Sequence, residues 1–241
     1  MERQVTKFTN GEDKNKEDIF MIKLLLASLL YLLTNVNGGG SMSMTRLRLM
    51  WHAWGKQRVE FADPEARQVM EARLPDLTLN TIRAVKVMPS SAKQPVDFLF
   101  NNNVDLKSFE EMKYFISLEK TFRTFYGCKN LTGVITIPAS VKEVGSTTFF
   151  DTQIIGIEFL AQDFKWGHGA IWRCTKLKWV KMHSKEVPQK ITANDKWVFD
   201  FAITNLTWKL YVPDGSLDKY KADHNFKNLG DRIRPLSEFN E

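Results

Sequence analysis

The chain has 241 residues, a net charge of +6, 43% apolar and 26% charged residues, a composition that suits one or two folded domains with a sizeable core. The basic excess is spread out rather than clustered, which argues against a nucleic-acid partner. The nearest candidate, "TKLKWVK" at 175–181, alternates apolar and basic residues as a half-exposed strand does.

Residues 1–20 are polar, without a clear period, and read as a leader that precedes the true start at Met21. Residues 21–38 then carry an apolar run of ten, Leu24 to Leu33, behind Lys23. A bilayer span needs about 20 such residues. The run suits the core of a signal peptide, with Val36 and Gly38 as small residues before a cut. Its competing reading is a buried or amphipathic helix. Export to a secreted or cell-surface location is the expectation, with no stable membrane span in the mature chain. Residues 39–57 read as a linker that turns basic and aromatic, with Trp51, His52 and Trp54.

A helical lead-in is expected over 58–118. Asp63 is a good N-cap, Pro64 fits the first helical position, and Ala66, Val69, Met70 and Leu74 share one face before Pro75. Asn101, Asn102 and Asn103 mark a turn, and Ser108 is the expected cap of a short helix with Glu110 and Glu111 in its first turn. Adjacent carboxylates on a helix diverge by about 100°, so this pair is not an acid–base dyad.

From residue 119 to 212 a pattern recurs. "GCKNL" at 127–131, "DTQII" at 151–155, "RCTKL" at 173–177 and, loosely, "AITNL" at 202–206 align. One column holds Cys128, Thr152 and Cys174, a second Leu131, Ile155, Leu177 and Leu206, and a third Phe125, Phe149 and Ile171. A β-like run follows each leucine column. Periods of 20–29 residues with this character signal a repeat whose copies bury their apolar edges on one another. Residues 213–241 read as a C-terminal cap.

The stretch "FYGCKNLTGVITIPASVKEVGSTTFF" at 125–150 resembles the BspA-like leucine-rich repeats of bacterial surface proteins, of the gut Bacteroidales type. "LYVPDGSLDKYKADHNFKNLGDRIRPL" at 210–236 resembles their closing segment. The middle departs: residues 151–182 lack the Ile-Pro-x-Ser-Val phrase, and 185–201 are an irregular insertion. The expected fold is α+β, a short, irregular leucine-rich-repeat β-solenoid with a helical N-terminal lead-in and a small C-terminal cap. The resemblance implies adhesion to a protein or glycan on a host or neighbouring cell.

No metalloprotease, nucleophile-elbow, phosphate-loop or dinucleotide motif occurs, and His52, His168, His183 and His224 are scattered. No metal, cofactor or enzymatic activity is expected. "LPDLTLNTIRAVKV" lacks the carboxylate spacing of a calcium loop. Cys128 and Cys174 sit two copies apart, roughly 10 Å at one strand spacing per copy, beyond the reach of a disulfide. Both are expected as buried free thiols.

A recognition surface is the better candidate, drawn from Trp166, Trp179, Lys181 and His183. Strict alternation from an inward Leu177 would turn Trp179 inward, whereas a turn after Leu177 would turn it outward. The expected function is a non-catalytic secreted or cell-surface module. The alternative is a structural or interaction domain of a surface or phage-borne host-binding assembly.

Overall fold

A computed structural model describes residues 52–86, 99–191 and 207–240. The polar leader, the apolar segment 21–38, most of the linker, and Leu206 lie outside the described residues. The chain divides into two compact units, 1–54 and 55–241. Of the first, only residues 52–54 are described, and they are helical. The rest concerns the second unit.

The lead-in begins with helix α1, Pro64–Glu71, which buries Ala66 and Met70. Its cap does more than the sequence suggests. Asp63 Oδ1 accepts from the backbone N–H groups of Glu65 (2.8 Å) and Ala66 (3.4 Å). Its Oδ2 accepts from those of Lys107 (2.6 Å) and Ser108 (2.9 Å), more than forty residues on. One buried carboxylate thus starts a helix and fastens a distant loop to it. Ser108 spends its N–H here, and the 3₁₀ turn Glu110–Tyr114 has no side-chain cap. A second short helix, α2, Leu79–Ala84, is capped by Thr78, whose hydroxyl accepts from the Thr81 N–H.

Among the described residues nine strands follow, all parallel to their neighbours in the sheets. β1 (Lys120–Thr121), β3 (Glu143–Val144), β5 (Lys165–Trp166) and β7 (Gln189–Lys190) form a four-stranded sheet. β2 (Val134–Ile137), β4 (Gly156–Phe159), β6 (Trp179–Met182), β8 (Lys209–Val212) and β9 (Ile233–Pro235) form a five-stranded one. The expected α+β leucine-rich-repeat solenoid is therefore corrected. The described chain is an α/β-like arrangement of two wholly parallel sheets with few helices. The sequence reading assigned one strand to each copy. Each copy also sends a two-residue strand, such as "EV" or "KW", to the other sheet, and a run that short carries no alternation to read.

The two sheets share one core. Phe159 of β4 meets Phe164 at 5.2 Å and Trp166 of β5 at 5.3 Å. Beside it runs a file of stacked rings, Phe100, Phe125 and Phe149, with centroids 5.6 Å apart at each step. Phe109 packs against the side of this file, 4.9 Å from Phe100 and 5.5 Å from Phe125. Ile171 continues the buried column.

Between the sheets the chain turns through left-handed residues at matched places: Arg123, Thr147 and Gly169, then Asn102, Gly127, Asp151 and Arg173. The N–H groups of the first three of the second set bond onward in a ladder. Asn102 donates to Tyr126 O, Gly127 to Phe150 O and Asp151 to Trp172 O, at 2.6, 2.8 and 2.9 Å. A β-carbon at Gly127 would be strained at φ +70° and would come within 2.2 Å of Asn102 Oδ1. Gly127→Ala is expected to cost ~1–2 kcal/mol, measurable by thermal unfolding. An unchanged midpoint would show that the corner can relax.

Burial pushes the Asp63 carboxyl up, but its four backbone hydrogen bonds outweigh this and hold it below its ordinary 3.8. A carboxylate lowered on folding stabilises fully above the unfolded value, and the contribution is lost as pH falls through the folded one. Asp63→Asn should lose about 2 kcal/mol at neutral pH and flatten the acid-side fall in stability. Urea unfolding followed down to about pH 2 checks both, and parallel curves for parent and variant would contradict this account.

Candidate surface on the five-stranded sheet

The core columns come together as buried contacts. Phe125, Cys128, Leu131, Phe149, Thr152 and Ile171 are fully buried, and Cys174 and Leu177 nearly so. Ile155 is corrected. Ile154 is the buried residue and Ile155 only half-buried. Thr152 to Gly156 is two residues shorter than Cys128 to Val134, so the chain reaches β4 sooner and Ile154 turns inward. The reading also missed an earlier copy. Phe100 and Asn102 occupy the aromatic and left-handed places, where Asn is tolerated. Their offset of about one repeat from Phe125 and Gly127 was the available signal.

The thiols serve the core. Cys128 Sγ donates to Phe100 O (2.9 Å) and Cys174 Sγ to Phe149 O (3.0 Å). Thr152 fills the place between them and donates to Phe149 O at 3.0 Å. Burial pushes both thiols up to about 12, where the thiolate needed for nucleophilic attack is scarce. A thiol-reactive dye near pH 8 should label neither cysteine in the native protein and both after unfolding. Native labelling at either position would contradict their placement.

The surface candidates divide. Trp166 is corrected to a core residue. It alternates with exposed Lys165 and is only 1% exposed, packed against Phe159 and Phe164. Trp179, Lys181 and His183 do come together. In β6, Val180 and Met182 point into the core, so Trp179 and Lys181, and His183 just beyond, share the opposite face. Trp179 lies over the strand beside it, and a β-carbon on Gly156 would be 2.3 Å from its ring. Glycine at 156 is what lets the indole lie flat on β4.

Parallel register sets the neighbours. Thr136, Glu158, Lys181, Tyr211 and Arg234 form one row across the sheet. Glu158 Oε1 receives Lys181 Nζ at 2.8 Å and His183 Nε2 at 2.9 Å. Burial raises the Glu158 carboxyl, but the hydrogen bonds from Lys181 and His183 prevail and hold it below its usual value. It is an ionised anchor for two cationic or polar donors.

A residue from far along the chain completes the group. Phe239, just past the 3₁₀ turn Leu236–Glu238, stands edge-on to both Trp179 and Tyr211, 5.0 Å from each. Lys181 Nζ lies 4.2 Å from the Phe239 centroid and 5.4 Å from that of Trp179, within cation–π range. Trp179 is thus outward-facing yet only 7% exposed. Sequence reasoning missed Glu158, Tyr211, Arg234 and Phe239. Aligning "GIEF" with "WVKM" would have placed Glu158 beside Lys181. Nothing local announces the return of Phe239.

Among the described residues no group of three His, Cys, Asp or Glu is placed to hold a metal ion, and no helix is long and apolar enough to cross a membrane. No protein-family model, curated protein or solved structure matches the chain.

Proposed function

We propose that the protein is a non-catalytic recognition or adhesion module, secreted or displayed at a cell surface, that binds protein or glycan through the outer face of the five-stranded sheet. The observation that carries this is the convergence of Trp179, Lys181, His183 and Glu158 on one face, tied together by contacts that fix their geometry. Fixed aromatic and charged groups on a sheet lose little freedom when they bind, which favours recognition. The thiols are buried and Glu158 is neutralised by its neighbours, so this face offers contact rather than a nucleophile. The apolar segment at 21–38 supports export, and the resemblance to BspA-like surface proteins supports attachment.

The test is direct binding of the full chain to immobilised matrix proteins and a glycan array, with a Lys181→Ala/His183→Ala variant beside it. At least one class of ligand should be retained by the parent and bound about tenfold more weakly by the variant, as for the loss of one well-placed contact. Equal binding by both would remove this face from the function. Absence of any ligand would count against adhesion itself.

A further inference from the structure

We infer that the slot between Trp179, Tyr211 and Lys181 is a docking site for an acidic–aromatic peptide segment of a partner protein, and that the chain's own Glu238–Phe239 occupies it until such a segment displaces them. This deepens the proposed function and rests on that reading of the face.

The occupant itself states the chemistry. Phe239 presents its edge to two aromatic rings and lies under the Lys181 ammonium. A cation above a ring is attracted by the negative π-face. A sugar ring has no such face, so the slot favours an aromatic side chain over a glycan. One residue earlier, Glu238 Oε2 accepts from Arg234 Nε at 2.7 Å. The charges around the slot extend the pattern, because Lys209 is exposed and pairs in register with Trp179. Arg234 and Lys209 flank the aromatic floor on one side and Lys181 covers it, while Glu158 is already engaged by Lys181 and His183. A segment with acidic residues next to its aromatic one would match this field.

The tail is also built to be displaceable. It covers the slot with one half-buried ring on the 3₁₀ turn that follows β9, and the pairing with β8 ends at Pro235, four residues before that ring. Its other fastenings are at the surface: the Arg234–Glu238 pair, about half exposed on both sides, and the Ser237 N–H donating to Asp214 Oδ1 at 3.2 Å. Exposed pairs of this kind contribute little. A tethered occupant nevertheless competes at a high effective concentration. A partner must therefore bring contacts the tail lacks, and Lys209 is positioned to give one.

The experiment uses the full chain and a fluorescein-labelled peptide of the tail's own sequence, Leu-Ser-Glu-Phe-Asn, read by anisotropy. Phe239→Ala should bind it at least about tenfold more tightly than the parent, whose slot is filled in cis. A peptide with alanine in place of its phenylalanine should not bind. Adding Lys181→Gln to Phe239→Ala should weaken binding several-fold, about the effect of one cation–π contact. Should Phe239→Ala fail to fold, Phe239→Leu keeps apolar cover without the π-face and should bind the peptide measurably more tightly than the parent. The inference is overturned by no binding to the opened slot, by equal binding to parent and variant, or by equal binding of the peptide lacking phenylalanine. The peptide titration contains no matrix protein or glycan, so its failure leaves the adhesion reading to its own test, and Phe239→Ala is run on the glycan array separately. Glycan binding that improves in Phe239→Ala while the peptide does not bind would reassign the slot to sugars.

Discussion

Each copy of the repeating unit is held one strand spacing from the next by backbone hydrogen bonds at its corners, and the remaining architecture follows from that step. The N–H groups of Asn102, Gly127 and Asp151 reach the carbonyls of Tyr126, Phe150 and Trp172. Parallel strands lie about 4.8 Å apart, and rings stacked at 5.6 Å fit that step with a modest sideways offset. The corner, the strand and the ring column must agree at every copy. Left-handed backbone at Asn102 and Asp151 is therefore retained despite its cost for residues with a β-carbon. A right-handed residue there would swing the N–H out of the ladder.

Such an array has two open ends, and the chain closes them differently. At the start, Phe109 packs against the first two rings of the column, Phe100 and Phe125, and Asp63 binds the loop before it to helix α1. Helix α3, Leu217–Ala222, lies near the other end, with Tyr220 donating to Ser184 O at 3.1 Å and packing on Phe226. Burial pushes the Tyr220 hydroxyl well above its ordinary value, so it remains a donor. Both closures rest on a polar group satisfied inside the protein, since an unpaired one there would cost more than the contact returns.

The parts legible in the sequence were those fixed by local spacing. Cys128, Leu131, Phe125 and their counterparts recur at intervals that survive erosion, and Asp63-Pro64 states a helix start outright. The misreadings have separate physical causes. Ile155 was displaced by a loop shortened by two residues, which alignment by eye cannot see. Trp166 is inward, opposite Lys165, in a strand of two residues, too short for the sequence pattern to show which way each faces. The second sheet was missed for the same reason. Phe239 was beyond reach, because its partners Trp179 and Tyr211 are far away in sequence and meet it only through the parallel register.

That register also explains why the tail belongs on this face. Parallel sheets are ordinarily covered on both sides because their strands are apolar on both. Here the cover is partial, and so is the need for it. Toward β2 and β4 the outer positions are Val134 and Thr136, which stay partly in water, with Gly156 under the Trp179 ring and Glu158 paired with Lys181 and His183. Toward β6 and β8 they include Trp179 and Tyr211, whose rings would otherwise be exposed. Phe239 stands over both of these rings. A helix would have hidden the whole sheet. A single ring on a short turn covers only the aromatic half and leaves Glu158, His183 and Lys209 at its margin.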